Sequence, residues 1–402
     1  MARIDDYFIS MCDDILKNGT TTQGQKVRPH WPDGTPAYTI KKFGVVTRYN
    51  LQEEFPVLTL RRTPVKSALD ELLWIWQAKS NDIHELHSGV WDEWADPEGS
   101  IGRAYGYQMA VKHRYYDIKE EGLRHAFGDE AYEAILTAPA VPDLLYDSIK
   151  ASSCISSEKE EAWTPEAGAE SAGIERKSAP QSTMGAAGGA APLSGEAPVQ
   201  AARILPSQRP DSGPDQIVPR TPEERKLHAL RGPDGSFYMD QVDRVIYDLK
   251  NNPYSRRIMT NIYTYSDLHA MNLYPCAYSM TFNVTQQPGH DLMTLNGIMN
   301  QRSQDILTAF AWNEWQYAAL LALIAQSCGM EAGEFVHVVA DAHIYDRHVG
   351  IVKELMSRTP QPAPKVWINP DVHDFYQFTR EDVKLEGYQV AGEQIRNIPV
   401  AI

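Results

Sequence analysis

Two side chains in the second half of the sequence could together support nucleophilic chemistry. Cys276 follows Pro275, and Arg302 lies further along, in the polar stretch 301–305. The thiolate is the nucleophilic form of cysteine, and a nearby unpaired guanidinium makes a thiol easier to ionise. The pair alone is equally compatible with a reactive cysteine and with a buried structural cysteine beside a surface arginine.

The residues that follow Cys276 indicate a β-hairpin. Residues 278–285 alternate between apolar and polar types, which is the pattern of a half-buried strand. A turn over 286–291 and a second extended stretch over 292–301 complete the hairpin. We therefore expect Arg302 to return to the beginning of the first strand, where Cys276 lies.

Further candidates lie on predicted helices. Thr63 and Pro64 begin a helix whose apolar stripe has Glu71 on its flank. A carboxylate at the rim of a core is partly desolvated, which raises its pKa and suits it to proton transfer; a solvated surface glutamate is the alternative. A helix is also expected over 306–328, with Asn313 near its start. A buried asparagine needs hydrogen-bond partners, which the edge of a pyrimidine, a helix cap or a loop could supply.

Other polar residues are placed by neighbouring elements. Asp240 is expected to cap a helix, after which Arg256 and Arg257 lead into an extended stretch. Adjacent strand residues face opposite sides, so the two arginines could bind different partners, one of them a phosphate. His343 and Tyr345 would point to the same side of a strand, where they could bind a sugar hydroxyl or simply cover the sheet.

The composition indicates a soluble protein of one large domain or two ordinary ones, because the 402 residues are 43% hydrophobic and 23% charged. The formal net charge of −15 argues against nucleic acid and anionic membranes as partners, since both attract basic surfaces. The start of the sequence lacks a signal peptide, and no apolar run approaches the roughly 20 residues that span a membrane, so we expect a cytoplasmic protein. The four cysteines show neither metal-ligand spacing nor a disulfide framework.

Short motifs along both halves of the chain resemble those of thymidylate synthases in order and spacing. The motifs are Glu71-Leu72-Leu73-Trp74, Trp91-Asp92-Glu93-Trp94-Ala95-Asp96, Tyr105-Gly106, Ser255-Arg256-Arg257, Pro275-Cys276, Gln301-Arg302-Ser303-Gln304-Asp305, Asn313, His343-Ile344-Tyr345 and Pro399-Val400-Ala401-Ile402. Because these motifs are independent of one another, the whole series is far less probable by chance than any single motif.

The resemblance implies reductive methylation of dUMP to dTMP without a metal. In this reaction 5,10-methylenetetrahydrofolate supplies the one-carbon unit and the hydride and leaves as dihydrofolate. Cys276 would attack carbon 6 of the uracil, and Glu71 would manage proton transfer through ordered water. Tyr105 and Asn313 complete the implied catalytic set, and Asn313 would also bind the edge of the uracil.

The resemblance also implies a homodimer with shared active sites that hold the phosphate of dUMP by bidentate guanidinium contacts. One subunit would supply Arg28, Arg302 and Ser303, and the other would supply Arg256 and Arg257.

The remaining implied contacts concern the sugar and the folate. His343 and Tyr345 would bind the deoxyribose hydroxyl, while Asp305 would contact dUMP and the folate pterin. The end of the chain would close over the folate and exclude water. The other implied folate contacts are Trp91, Trp94, Leu273 and Ala401.

The chain departs from the family pattern at several places. Arg28 lies in Val-Arg-Pro where many members have an Arg-Thr-Gly-Thr loop. Ala277 follows the nucleophile where a histidine is common. Trp312 replaces the phenylalanine of the usual Leu-Pro-Phe-Asn run that ends at Asn313, and Gln316 replaces a serine. These changes bear on the pyrimidine contacts and on the reaction rate.

Two alternatives to a synthase remain. A dUMP hydroxymethylase would add water to the same exocyclic intermediate; Trp91 and the Val-Ala-Ile end favour the synthase, since a closed, dry cleft protects that intermediate. Asn313 favours uracil, because a cytosine-specific relative would be expected to have an acidic residue there. An RNA-binding regulatory paralogue is the second alternative, and the net charge and the intact Cys276 and Glu71 argue against it.

The implied fold is a single α/β domain with a large mixed sheet, covered by helices on one face and packed through the other face against the twin subunit. We expect this domain, 1–402, to be interrupted by an insertion over about 113–237 that begins with a charged helical stretch. Residues 150–222 are rich in Ala, Gly, Ser, Pro and Glu and cannot bury enough apolar surface to offset their ordering entropy. We therefore predict that 150–222 is the least ordered part.

Overall fold

A mixed β-sheet lies at the centre of the fold. The computed structural model describes residues 2–140, 214–219 and 221–401. The strands are β1 (Thr20–Thr21), β2 (Thr39–Asn50), β3 (Lys112–Tyr115), β4 (Gln216–Ile217), β5 (Leu230–Arg231), β6 (Phe237–Met239), β7 (Met259–Asn261), β8 (Ala277–Thr285), β9 (Thr294–Gln301), β10 (Gln304–Asp305), β11 (Glu331–Tyr345), β12 (Lys365–Ile368) and β13 (Val383–Glu386). The helices are α1 (Arg3–Asn18), α2 (Val65–Trp76), α3 (Gly106–Ala110), α4 (Glu120–Thr137), α5 (Pro222–Lys226), α6 (Gln241–Asn251), α7 (Phe310–Ser327) and α8 (Val349–Met356).

The central sheet has the strand order β1-β2-β11-β9-β8-β7, and β10 pairs with β11. The long strand β11 is antiparallel to β2 and parallel to β9, whereas β8 and β9 are antiparallel. This mixture confirms the predicted α/β class with a large mixed sheet.

The two faces of the sheet differ in what covers them. Helix α7 packs against β9, β11 and α2, and it is buried on nearly all sides, as its unbroken apolar run predicts. On the opposite face Val46 and Ile298 are 53% and 42% exposed, and Arg48 pairs there with Glu334. Within the described residues, helices therefore cover one face only.

The predicted hairpin is confirmed. Strands β8 and β9 pair antiparallel, and Ala277 lies opposite Gln301, so the chain returns to the residue after Cys276. The predicted start of the following helix at 306 is wrong, because α7 begins at Phe310. The carboxylate of Asp305 accepts a hydrogen bond from the Leu307 amide, and this local bond replaces the first helical turn.

The two other helix predictions are confirmed. Helix α2 begins directly after Pro64, and Glu71 lies within it. Asp240 is the N-cap of α6, and its side chain accepts a hydrogen bond from the Asp243 amide at 3.0 Å.

The residues on either side of the predicted insertion core form a small antiparallel sheet with the order β4-β3-β6-β5. Helix α4 lies where a charged helical stretch was expected. Residues 150–213 of the segment predicted to be least ordered lie outside the described residues, so the extent of the insertion stays a prediction. Among the helices that the structure describes, none is both long and apolar enough to cross a membrane.

Candidate active site

Cys276 lies immediately before β8, and its backbone is held from two sides. Its amide donates a hydrogen bond to the Tyr105 hydroxyl at 3.2 Å, and its carbonyl accepts one from the Arg302 amide at 2.9 Å. The Arg302 Nη2 atom lies 3.5 Å from the Cys276 sulfur. The hairpin thus brings the predicted cysteine and arginine together.

The expectation that Arg302 is unpaired is wrong. Its Nε donates to the Pro275 carbonyl at 2.9 Å, and its Nη2 also donates to the Tyr274 carbonyl at 2.6 Å. Burial raises the pKa of the Cys276 thiol, and the charges of Arg302 and Arg28 lower it only in part, so the net shift is upward. The thiol form is therefore favoured in the site without ligand, because desolvation outweighs the guanidinium charge.

Glu71 is buried on α2, and its carboxylate accepts three hydrogen bonds. Trp91 Nε1 donates to Oε1 at 2.7 Å, while Trp312 Nε1 and Gln316 Nε2 donate to Oε2 at 2.5 and 3.0 Å. Burial raises the pKa of Glu71, and the three donors oppose this rise without cancelling it. The predicted upward shift of the pKa is confirmed in direction.

Aromatic rings connect the glutamate to the cysteine. The Trp91 ring lies 4.8 Å from the Tyr105 ring and 5.8 Å from the Trp94 ring, measured between centroids. Leu273 is half-buried and packs against the same core. Trp91 thus contacts Glu71 through its N–H group and Tyr105 through its ring.

Asn313 lies on the first turn of α7, with its side-chain oxygen occupied by the protein. Gln301 Nε2 donates to Asn313 Oδ1 at 3.1 Å, and Gln304 Nε2 lies 3.5 Å from the same atom. Gln301 Nε2 also donates to the Ser303 carbonyl at 3.0 Å. The amide of Asn313 is therefore oriented before any ligand binds.

Asp305 lies at the end of β10 and contacts a histidine that was not predicted. His348 Nδ1 is 3.5 Å from Asp305 Oδ1, and Thr308 Oγ1 donates to Oδ2 at 2.7 Å. Burial opposes the charge of Asp305, but its contacts with His348, His343 and Thr308 outweigh burial and lower its pKa. The Asp305 carboxylate is therefore held as an anion.

His348 also contacts the end of the chain. Its Nε2 lies 2.8 Å from the Pro399 carbonyl. Burial lowers the pKa of His348, but Asp305 and the Pro399 carbonyl outweigh burial, so the net shift is upward. Ala401 is half-buried and Val400 is 45% exposed. The terminal segment is thus attached next to Asp305 through His348.

His343 and Tyr345 lie on β11, as predicted, with ring centroids 5.0 Å apart. Asp341 Oδ1 lies 2.9 Å from Nδ1 of His343 and orients its ring. The Tyr345 ring packs against Trp31 on its other side, at 5.6 Å.

The three other predicted arginines are exposed. The positive charge of Arg28 acts on both Cys276 and Tyr345 and lowers the pKa of each in part. The extended stretch predicted after Arg256 and Arg257 is confirmed as β7, but the two arginines lie in the turn before it and are not strand residues themselves. Neither of them contacts the Cys276 site of the same chain among the described residues.

Sequence reasoning missed Trp312 and Gln316 as partners of Glu71, although it singled out both as departures. It also missed His348, which no pattern distinguishes from a surface histidine. In the described part of the chain, no group of His, Cys, Asp and Glu side chains could hold a metal ion.

Comparisons with known proteins agree on one family. The family model described as thymidylate synthase matches residues 6–135 and 221–401. The thymidylate synthases of Bacillus mojavensis and of Bacillus phage phi3T are each 29% identical to this chain, and each alignment covers 97% of this chain and 96% of the relative. The solved structure of thermostable thymidylate synthase A from Bacillus subtilis is 27% identical, with 100% of both chains covered and a TM-score of 0.63.

Proposed function

The chain belongs to the thymidylate synthase family, and on this premise we propose how its residues carry out the reaction. The protein is a methyltransferase that converts dUMP to dTMP, and its named relatives favour this activity over hydroxymethylation of dUMP. When bound, 5,10-methylenetetrahydrofolate supplies the one-carbon unit and the hydride.

Cys276 is the nucleophile, and the observation that supports this most strongly is its position. Its backbone is held by Tyr105 and Arg302, and its sulfur lies 3.5 Å from Arg302 Nη2. The sulfur forms a bond to carbon 6 of the uracil, which makes carbon 5 nucleophilic. The guanidinium stabilises the thiolate that attacks, and so offsets in part the burial that raises the thiol pKa.

Glu71 moves protons through water in the cleft. Its raised pKa brings it closer to the pH at which a carboxyl group can both accept and donate a proton. The three N–H donors hold the carboxylate in one orientation, so the same oxygen faces the pyrimidine in each turnover.

The phosphate of dUMP binds at Arg302, Ser303 and Arg28. Within the described residues, no group accepts a hydrogen bond from Nη1 of Arg302, and the Ser303 hydroxyl has no side-chain partner. These free donors, together with the exposed Arg28, can donate hydrogen bonds to the oxygens of a phosphate.

The sugar and the folate occupy the rest of the cleft. His343 and Tyr345 bind the deoxyribose hydroxyl, and the anionic Asp305 accepts hydrogen bonds from the N–H groups of the pterin. The folate rings pack against a wall of apolar side chains, and the end of the chain closes over them. The wall and the closing segment comprise Trp91, Trp94, Leu273 and Ala401.

The active enzyme is a homodimer with shared sites. A second copy would cover the uncovered sheet face, on which Val46 and Ile298 are exposed. The turn that contains Arg256 and Arg257 would then extend into the phosphate site of the twin subunit, since it does not reach its own.

The test replaces Cys276 by serine and uses Cys328→Ser as the matched control, because Cys328 lies at the far end of α7. Cys276→Ser is expected to bind dUMP, measured by calorimetry, and to form no dTMP, while Cys328→Ser turns over normally. Undiminished turnover by Cys276→Ser would remove Cys276 as the nucleophile.

A further inference from the structure

A buried polar chain runs beneath the uracil-binding side of the site. Glu314 is fully buried on the first turns of α7, between Asn313 and Trp315. Its Oε1 accepts a hydrogen bond from Thr47 Oγ1 of β2 at 2.7 Å, and it lies 3.1 Å from Nδ1 of His337 on β11. His337 Nε2 in turn lies 2.9 Å from Oε1 of Gln301 at the end of β9.

The orientation of the Gln301 amide follows from the groups around it. The carbonyl of Ser303 can only accept a hydrogen bond, so the atom of Gln301 that faces it is Nε2. The remaining atom, Oε1, is an acceptor, so His337 must donate to it from Nε2. This holds whether Glu314 and His337 form an ion pair or share the proton as a neutral pair, because Nε2 is protonated in both cases.

The oriented amide of Gln301 in turn fixes the orientation of the Asn313 amide. Gln301 Nε2 donates to Asn313 Oδ1, so the Asn313 NH2 group is the one left to face the cleft. Among the described residues, none accepts a hydrogen bond from this NH2 group. Asn313 and Glu314 are adjacent in the chain, so the series Glu314, His337, Gln301 and Asn313 closes into a ring.

We propose that Glu314 and His337 are positioning residues that fix the Asn313 amide with its NH2 group toward the pyrimidine, and so select a 4-carbonyl over a 4-amino group. The proposal rests on the assignment of the cleft to dUMP. A uracil carbonyl accepts a hydrogen bond from the Asn313 NH2 group, whereas the amino group of cytosine places two donors against each other. An unpaired buried donor weakens the binding of the cytosine nucleotide, and the resulting difference in affinity between dUMP and dCMP is the selectivity.

Loss of the hydrogen bond between His337 and Gln301 would allow Asn313 to adopt the opposite amide orientation. Without the hydrogen bond from His337, Gln301 keeps only the contacts of its Nε2, and its amide is free to turn. Asn313 can then rotate and present Oδ1 to the cleft, where it would accept from an amino group. Loss of His337 should therefore weaken dUMP binding and spare or improve dCMP binding.

The test compares His337→Phe with Phe335→Leu as the matched control. Phe335 lies two residues earlier on β11, is buried, and has its ring stacked 6.4 Å from His337, but it lies opposite Gly297 on β9, whereas Gln301 lies opposite Val339. For each variant we would measure KM and kcat with dUMP and the inhibition constant of dCMP. We expect His337→Phe to raise the KM for dUMP about tenfold and to leave the dCMP constant unchanged or lower, while Phe335→Leu leaves their ratio unaltered.

Two variants of Glu314 complete the design and remain informative if His337→Phe fails to fold. Glu314→Gln can still hydrogen-bond to His337, so it should keep the dUMP to dCMP ratio within about threefold of the wild type. Glu314→Met cannot, and should shift the ratio as His337→Phe does.

A ratio that stays constant in folded His337→Phe and Glu314→Met would overturn the proposal, and so would an equal loss of affinity for both nucleotides. Wild-type protein that forms no dTMP would instead refute the assignment of the cleft to dUMP, so the two failures are distinguishable.

Discussion

Replacing the buried Lys79 should destabilise the protein far more than replacing an exposed lysine at a similar ion-pair distance. Lys79 is 1% exposed, and its Nζ lies 2.7 Å from Asp240 Oδ2 and 2.8 Å from Asp243 Oδ2. Lys112 lies 2.8 Å from the same Asp240 oxygen and completes a cluster of two ammonium and two carboxylate groups. The perturbation is Lys79→Met, which keeps a similar stem and removes the charge.

The magnitude follows from the charges that remain. After the replacement, one ammonium group faces two buried carboxylates, and the side-chain partners that Asp243 keeps among the described residues are His228 and the Tyr376 hydroxyl, each at 2.7 Å. Removing one partner from a buried ion pair costs about 3–5 kcal/mol, because the other charge stays desolvated. We expect the free energy of unfolding to fall by about that amount.

The matched control is Lys66→Met. Lys66 lies 2.8 Å from Glu381, but the two side chains are 59% and 60% exposed. Exposed pairs contribute about 0–1 kcal/mol, since water already solvates both charges. The same chemical change is thus made at nearly the same ion-pair distance, and the two sites differ in burial and in the number of carboxylates, which is two at Lys79 and one at Lys66.

Urea unfolding, followed by circular dichroism at one protein concentration, gives both free energies. The reasoning would be refuted if the two variants lost similar stability, or if Lys79→Met unfolded at the wild-type midpoint. A loss confined to Lys79→Met would support the account of the buried cluster.

The cluster also bears on the active site. Lys79 has a positive φ of 52°, which an L-residue rarely adopts, and Ser80 follows it. A Cβ atom on Gly106 would lie 1.9 Å from the Ser80 carbonyl oxygen, so this turn packs directly against the residue after Tyr105. The cluster thus anchors the turn that supports the Tyr105 hydroxyl at Cys276.

Two further predictions concern the reaction. Trp312→Phe removes one N–H donor from the Glu71 carboxylate, which should raise the pKa of Glu71 further. In a profile of kcat against pH, the limb that depends on Glu71 should therefore move to higher pH. Trp367→Phe, on the distant strand β12, should leave the profile in place, and an unmoved limb in Trp312→Phe would count against the role of Trp312. Cys276→Ser and Arg256→Ala should each be inactive alone. Mixing the two variants should restore activity, because a mixed dimer has one site with both residues intact. No recovery after subunit exchange would contradict shared sites.

Local features of the fold could be predicted because their signals lie close together in the sequence. The alternation after Cys276 and the turn at 286–291 predicted the hairpin, and the hairpin placed Arg302 beside Cys276. Asp240 was predicted as a cap because Asp before an apolar helical period is a local pattern.

Contacts between distant elements could not be predicted in the same way. Glu71 and Trp312 are 241 residues apart, and whether their side chains meet depends on the rotation of α2 against α7. The pairing of Arg302 with the carbonyls of Tyr274 and Pro275 depends on the exact path of the backbone before β8. The expected ease of ionisation of Cys276 failed for this reason, since neither its burial nor these carbonyls is visible in the sequence.

Glu314 and His337 are each marked in the sequence by a break in an apolar pattern. A charged glutamate in a predominantly apolar helix and a histidine on the inward side of a strand both break the local pattern. Buried charged or polar groups require partners, so such breaks predict a polar contact, but only the fold shows that Gln301 is the next member.

The most direct test of the account mixes the purified protein with dUMP and methylenetetrahydrofolate, follows dihydrofolate by absorbance and identifies the nucleotide by mass. The account predicts dTMP and dihydrofolate in equal amounts. Hydroxymethyl-dUMP without dihydrofolate, or no nucleotide product from folded protein, would contradict it.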